Sequence, residues 1–259
     1  MKTVFNSIFM AFSMFSALPV PMTEWKKENM KYMLCALPLV GLTITAALLL
    51  WYWICTALDM GVFMYAAGVT LIPLAVSGGI HMDGFCDTVD ALSSRAPAEK
   101  KREILKDPRA GAFAIIFTAA YFVARFALCT ELEPDISAIL FAGLIHTAAR
   151  AEGAFAGLLF PASGSGGLLF SFKDAAAAPA AAIIAVWLVL CAAAALILAP
   201  MGGTLCIILS ALLLWRIRVM SQREFGGMSG DIAGYTISLG ELVLLFVYIL
   251  SEKAVAICF

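Results

Sequence analysis

The stretch Gly78–Gly111, GGIHMDGFCDTVDALSSRAPAEKKREILKDPRAG, is a charged island between two long apolar segments. It carries three aspartates, Asp83, Asp87 and Asp90, at spacings of four and three residues. In a helix, side chains three and four positions apart lie on the same face. The sequence therefore predicts a helical face whose carboxylates repel one another unless a cation lies among them. Mg²⁺ suits such a face, because it favours carboxylate and phosphate oxygens.

The composition around the island is that of an integral membrane protein. Of the 259 residues, 63% are hydrophobic and 14% are charged, and the mean hydropathy is +0.96. Soluble domains are about half apolar and about a quarter charged. The net charge of -1 gives no reason to expect a nucleic acid partner. The seven cysteines are scattered without a CxxC pair and are interpreted as small buried side chains.

Seven segments are apolar and long enough to cross a membrane, which requires about 20 mainly apolar residues. The segment Met1–Val20 ends in a proline-rich break and is predicted to form an interfacial or re-entrant helix. The expected fold class is all-α, a polytopic helical membrane bundle that forms one domain over residues 1–259. The predicted spans are approximately Tyr32–Thr56, Gly61–Ile80, Gly111–Thr130, Ile136–Phe160, Ala176–Ala199, Gly202–Trp215 with a few further residues, and Ile232–Leu250.

The distribution of lysine and arginine orients these segments. Basic residues precede the first span, fill the island and follow the sixth span, whereas the alternate turns lack them. By the positive-inside rule, the island, the glycine-rich loop at 161–174 (PASGSGGLLFSFKD) and the loop at 216–231 (RIRVMSQREFGGMSGD) face the cytoplasm. These three loops offer carboxylates, glycines and basic side chains, which suit a phosphorylated ligand.

Two further groups of loop residues each have two interpretations. His81 is either a general base or a hydrogen-bond partner for an aspartate. Gly226, Gly227 and Gly230 either bind an anion at the start of the last span or only shape a tight turn. Asp231, which follows them, is a candidate N-cap or a further metal ligand.

Ionisable residues also occur inside the predicted spans, where they are costly and are functional candidates. Glu241 lies about half way through the last span. His146, Arg150 and Glu152 in the fourth span are candidate partners for it, and Arg150 is also a candidate substrate contact. Arg125 in the third span is a further candidate partner for Glu241, and extension of its side chain to the outer interface is the simpler interpretation.

Several motifs together resemble one known family, the cobalamin synthases (adenosylcobinamide-GDP ribazoletransferases). The most specific are GGIHMDGFCDTVDAL at 78–92 and EILKDPRAGAFA at 103–114. LPVP at 18–21, PLVG at 38–41 and GGMSGDIAG at 226–234 agree in order, with Glu241 beyond them. The resemblance spans almost the whole chain. One departure is Ala17, which stands before LPVP where the family pattern has an arginine.

The resemblance implies a Mg²⁺-dependent transferase of the cytoplasmic membrane, with its active-site loops in the cytoplasm. A hydroxyl of α-ribazole, or of its 5′-phosphate, attacks the cobinamide-linked phosphorus of adenosylcobinamide-GDP, and GMP leaves. The partners are these two substrates and the lipid bilayer, and an oligomer is left open. The expected roles are metal binding by Asp83 and Asp87, metal binding or proton acceptance by Asp90, and diphosphate contacts by Arg95, Lys106 and Arg109.

Two alternatives come from other functional classes. A transporter fits the seven predicted spans and the intramembrane charges, although the sequence shows no clear internal repeat. A CDP-alcohol phosphotransferase would also hold metal with aspartates at a membrane face. Its DGxxAR continuation is not matched by DALSSR at 90–95, which counts against it.

Overall fold

The computed structural model describes residues 2–258, and these are almost entirely helical. Within this range the β-type contact is one isolated bridge between Ala162 and Met228. The prediction of an all-α membrane bundle is confirmed. The helices are α1 (Lys2–Phe15), α2 (Lys27–Met30), α3 (Met33–Ala57), α4 (Val62–Ser77), α5 (Ile80–Ser93), α6 (Ala98–Ile104), α7 (Ala112–Thr130), α8 (Ile136–Leu159), α9 (Leu168–Ala175), α10 (Ala180–Leu198), α11 (Pro200–Met220), which continues as a π-helical turn (Ser221–Phe225), and α12 (Gly230–Cys258).

Each of the seven predicted spans corresponds to a helix, but fewer than seven qualify as membrane spans. Five helices are long and apolar enough, or six if the bent pair α4–α5 is counted as one span. α8 is absent from that set because His146, Arg150 and Glu152 lower its hydropathy. It is instead buried along most of its length and packs against α3, α10 and α12. Length and composition therefore support five or six of the seven predicted spans, and α8 is a 24-residue helix enclosed by the others.

The N-terminal helix α1 does not have the length of a span. Its 14 residues pack against α3, and a bilayer crossing requires about 20. This agrees with the non-spanning helix that the sequence predicts before the prolines.

α4 and α5 meet at a sharp bend that positions the charged island. Gly78 and Gly79 have φ values of 65° and 81°, a left-handed conformation that glycine adopts without steric cost. The two helices consequently differ in direction by 95°. Because of this bend, α5 crosses one end of the bundle nearly at right angles to α4. The three aspartates of the island are carried on this crossing helix.

A buried charge cluster joins α7, α8 and α12 in the middle of the bundle. Glu241 Oε1 lies 2.7 Å from Arg150 Nη1 and 2.8 Å from His146 Nδ1, while its Oε2 lies 3.8 Å from Arg125 Nη1. Arg125 Nη2 lies 3.0 Å from His146 Nε2. Arg150 also donates to the backbone oxygen of His146 at 2.9 Å. The predicted partnership of Glu241 with α8 is therefore present in the structure.

The expectation that Arg125 extends to the outer interface is wrong. Its side chain is buried, with 3% of the residue exposed, and it points towards the cluster. The physical reason is that Glu241 and His146 provide polar partners inside the bundle. If Arg125 extended to the interface, its side chain would no longer lie beside the carboxylate of Glu241.

We predict that Glu241→Gln strongly destabilises the protein. The neutral amide leaves two buried arginines without a negative partner, and breaking a buried ion pair in this way costs about 3–5 kcal/mol. The measurement is thermal or denaturant unfolding of the purified protein in detergent. Glu252→Gln, at an exposed position near the end of the same helix, is the matched control and should change stability by less than about 0.5 kcal/mol. Equal stability of the Glu241 variant and the unmodified protein would contradict the prediction.

Candidate functional site

Three loops converge on one cavity at the end of the bundle that α5 crosses. The cavity has a volume of about 640 Å³. Its polar wall comes from α5, from the loop that follows α8 and from the first turn of α12. The loops are tied together by the Ala162–Met228 bridge and by an ion pair between Lys101 and Glu224. The predicted convergence of the island with the two glycine-rich loops is thus observed.

The cavity also has an apolar wall that the sequence did not indicate. Met14 and Phe15 of α1, Leu34 and Leu37 of α3 and Phe172 of α9 contribute to it. Such positions cannot be recognised from an isolated sequence, because an apolar residue that lines a cavity looks the same as one in the core. The site is therefore open to a ligand with both a polar and an apolar part.

The contact between α5 and α12 brings carboxylates from both helices together. A methyl group added at Gly84 would lie 2.5 Å from the carbonyl oxygen of Asp231, and one at Gly234 would lie 3.0 Å from the carbonyl oxygen of His81. Only hydrogen fits at these two positions without a shift of backbone. The glycines therefore let the helix that carries Asp83 approach the first turn of α12.

Two aspartates line the cavity and a third lies beside them. Asp83 is exposed and, like Asp231, forms part of the wall. Asp87 is half-buried, and the charges of Asp83, Asp231 and Asp90 lie near it. Negative charge therefore accumulates at this contact. No three His, Cys, Asp or Glu side chains within residues 2–258 are grouped closely enough to hold a metal ion unaided.

Asp90 lies at a different contact from the other aspartates. Its Oδ1 accepts a hydrogen bond from the backbone N–H of Ala114 at 3.3 Å, and its carboxylate lies directly against Gly111. A carboxylate at the N-terminus of a helix is favoured by the helix dipole. Asp90 therefore fixes the start of α7 to α5, and it is not part of the cavity wall.

Of the basic residues predicted to contact substrate, the structure brings Lys106 to the cavity wall. Arg95 is exposed outside that wall, with a left-handed φ of 52°. Arg109 is 86% exposed and forms two hydrogen bonds of 2.9 and 2.8 Å with Asp107, which lowers the pKa of that carboxyl to about 2. Arg150 belongs to the buried charge cluster and not to this cavity.

Gly226 and Gly227 shape a turn, whereas Gly230 lies where an anion could bind. The backbone N–H groups of Gly226 and Gly227 donate to the carbonyl oxygens of Gln222 and Ser221 at 3.1 and 2.9 Å, so both shape the end of the preceding helix. Gly230 lies at the cavity, with open space beside it.

The first turn of α12 is capped by a residue that the sequence analysis passed over. Ser229 Oγ accepts the N–H of Ile232 and donates to Asp231 Oδ2, both at 3.3 Å. The prediction of Asp231 as N-cap is therefore wrong, because the serine two positions earlier satisfies the helix end. The preference of serine for N-cap positions was the available signal. Ser163 and Gly164 of the loop after α8 also line the cavity.

His81 lies between the cavity and the buried charge cluster. Both of its ring nitrogens are buried without a hydrogen-bond partner, and its ring stacks on Phe15 at 6.0 Å. The predicted hydrogen bond to an aspartate is not formed, and the role of His81 as a general base stays a prediction.

Comparison with known proteins identifies the family. The profile of the family described as cobalamin-5-phosphate synthase matches residues 7–249. Similar curated proteins are named adenosylcobinamide-GDP ribazoletransferase. They include those of Lachnoclostridium phytofermentans, 36% identical over 251 residues (96% of this chain, 95% of the relative), Clostridium botulinum strain Alaska E43, 30% identical over 258 residues (95% and 98%), and Geobacillus thermodenitrificans, 27% identical over 262 residues (94% and 95%).

No solved structure matches the chain. The match to the family profile and to the curated relatives covers nearly the full length, and it includes the island, both glycine-rich loops and the helices that position them. It favours an enzyme over the transporter alternative. The chain belongs to the cobalamin-5-phosphate synthase family and is an enzyme.

Proposed function

We propose that this chain is a Mg²⁺-dependent transferase that joins α-ribazole, or its 5′-phosphate, to adenosylcobinamide-GDP and releases GMP. The observation that carries the proposal is the presence of Asp83, Asp231 and Lys106 on one cavity of a chain in this family. Carboxylates suit a divalent cation, and a lysine suits the phosphates of the GDP group.

The carboxylates at the cavity, together with phosphate oxygens of the substrate, form a suitable set of ligands for Mg²⁺. Mg²⁺ is usually held by one or two carboxylates together with substrate phosphates and waters. Asp83, with Asp87 or Asp231, provides the carboxylates, and the diphosphate provides further oxygens. This accounts for a protein whose own side chains do not form a complete metal site. When bound there, Mg²⁺ would neutralise charge on the diphosphate and on the leaving phosphate.

The residues of the chain supply positioning and charge, which are the main requirements of phosphoryl transfer. Lys106 contacts the diphosphate, and the start of α12 at Ser229 and Gly230 offers a helix N-terminus to its oxygens. The hydroxyl oxygen of ribazole bonds to the cobinamide-linked phosphorus, and the bond from that phosphorus to the GMP oxygen breaks. The hydroxyl proton passes to whichever of the carboxylates of Asp87 and Asp231 does not hold the cation. The corrin ring, larger than the cavity, stays outside.

The proposed orientation puts this cavity in the cytoplasm of a cell with the chain in its cytoplasmic membrane. The lysines and arginines of the island and of the loop after α11 lie at the same end of the bundle as the cavity. The positive-inside rule assigns that end to the cytoplasm. Both phosphorylated substrates would then reach the site from the aqueous side.

We predict that Asp83→Asn reduces Mg²⁺-dependent GMP release by at least about 100-fold. Loss of a residue that only supports a metal ligand costs about 10–100-fold, and loss of a ligand should cost more. Asp107→Asn, which changes a carboxylate outside the cavity, is the control and should retain activity. The assay measures GMP from adenosylcobinamide-GDP and α-ribazole with and without Mg²⁺. Unchanged Mg²⁺-dependent turnover in the Asp83 variant would remove this residue from the site.

We predict that Gly84→Ala lowers turnover by about 100-fold while the protein remains folded. The added methyl group must push α5 away from α12, and a displacement of about 1 Å at a reacting centre costs about that much. Gly61→Ala is the matched control, because a methyl group there meets no atom within 4 Å. If both variants turn over equally, the close contact does not position the site.

We predict that Lys106 and Arg109 differ in their contribution to substrate binding. Lys106→Ala should raise the KM for adenosylcobinamide-GDP by about 10–100-fold, the value of one hydrogen bond to a charged group. Arg109→Ala should change it by less than about twofold, because this side chain is exposed and paired with Asp107. Steady-state kinetics of the two variants provide the comparison. The opposite order would place the diphosphate outside the cavity.

A further inference from the structure

A second cavity lies inside the membrane region, between α8, α10, α11 and α12. Its volume is about 300 Å³, at the lower end of the usual range for small-molecule sites. Its lining is aliphatic apart from two cysteines, Ser210 of α11 and Glu152 of α8. It shares no lining residue with the 640 Å³ cavity and has no role in the reaction proposed above.

Glu152 is the unusual group in this cavity. The residue is 3% exposed, and its Oε2 has no hydrogen-bond partner. It takes no part in the ion pairs of the Glu241 cluster. The Ser210 hydroxyl hydrogen-bonds the carboxyl group, which leaves Oε2 unsatisfied, and a further hydroxyl could donate to this group or accept from it. A polar group buried without a partner requires an explanation.

Water is a poor occupant for this cavity. A buried water normally makes about three hydrogen bonds to polar groups, whereas the lining offers one carboxyl and one hydroxyl among aliphatic side chains and two cysteines. A ligand that fills the apolar volume and carries one polar group matches the lining better.

The surroundings indicate that the ligand arrives from the membrane. Val189 lines the cavity and is 67% exposed on the outer face of α10, so the cavity borders the lipid. Glu152 lies seven residues before the end of α8 at Leu159, which is about 10 Å along the helix axis. A phosphorylated or zwitterionic head group would be costly at that depth. A single hydroxyl meets the carboxyl at a much smaller cost.

We propose that this cavity binds a neutral membrane-dissolved alcohol, of the diacylglycerol type, whose hydroxyl pairs with Glu152 and whose chain fills the space between α10 and α11. The site is separate from the reaction centre. A bound alcohol would fix α10 and α11 against α8.

The test uses the full-length protein in nanodiscs and dicyclohexylcarbodiimide as a probe of the carboxyl group. The carboxyl proton moves to a carbodiimide nitrogen, and the carboxyl oxygen bonds to the central carbon. The adduct then rearranges to a stable N-acylurea without a leaving group. Peptide mass spectrometry locates the product. In phosphatidylcholine discs we expect modification of Glu152, and Glu152→Gln should lose it.

Two matched lipids then test the hydrogen bond. Dioleoylglycerol in the discs should protect Glu152 about tenfold more than propane-1,2-diol dioleate, in which a methyl group replaces the hydroxymethyl group; this is the effect expected of one buried hydrogen bond. Equal protection by both lipids, or none by either, would overturn the proposal. Absence of modification in phosphatidylcholine discs would also overturn it, because the cavity would then be closed. Protection that rises with protein density would show that a second copy of the chain covers the site instead.

Co-purification gives a second readout that does not depend on the probe. Protein from discs with dioleoylglycerol should carry this lipid into native mass spectrometry, and Glu152→Leu should carry about tenfold less. Glu252→Leu, at an exposed position on α12, is the control. Equal lipid retention in the two variants would contradict a role for Glu152.

Discussion

The close approach of α5 to α12 is the constraint on which the candidate site depends. Gly84 and Gly234 leave the two helices in backbone contact, so that Asp83 and Asp231 share one wall although 148 positions separate them in the sequence. The stacking of Phe85 on Tyr235, with ring centres 5.7 Å apart, extends the same contact on one side. Small residues serve this purpose in membrane proteins because association there relies on close packing.

α12 connects this contact to the rest of the bundle. Its first turn forms part of the cavity, and half way along it Glu241 joins Arg150 and His146 of α8 with Arg125 of α7. The buried cluster around Glu241 contains charges of both signs, whereas the group at the cavity consists of aspartates. In the buried cluster each charged side chain meets an opposite or polar partner. At the cavity, Asp83 and Asp231 lie on one wall with Asp87 beside them. The proposed cation and the substrate phosphates would complete that second group.

The sequence predicted the features that depend on periodicity and composition. Long apolar segments give the helices, and the charge pattern gives the grouping of the three loops at one end. Five or six of the seven predicted spans qualify by length and composition, and α8 does not qualify because its ionisable side chains lower its hydropathy. The simpler interpretation of the sequence placed Arg125 at the interface, because a partner on another helix cannot be seen from one segment.

Within the site, the residues predicted from sequence spacing differ from those that the fold brings together. The three aspartates do share a helix, but Asp90 is held by the start of α7 while Asp231 arrives from the other end of the chain. Which basic residues reach the cavity also depends on tertiary structure: Lys106 does, while Arg109 is paired with its neighbour Asp107. The apolar wall from α1 and α3 had no signal in the sequence at all. The residue types thus indicated the chemistry of the site, and helix packing determines which of these residues lie at the cavity.

The central claim is that α5 and α12 together present carboxylates to one divalent cation at this cavity. The most direct measurement is to locate Mn²⁺, in place of Mg²⁺, by anomalous scattering from crystals of the protein grown with GMP. The account predicts one peak within about 2.5 Å of an oxygen of Asp83 and of an oxygen of Asp87 or Asp231, a normal length for a metal–carboxylate bond. A peak held by other residues, or a cavity with GMP bound and no Mn²⁺ at these aspartates, would contradict it.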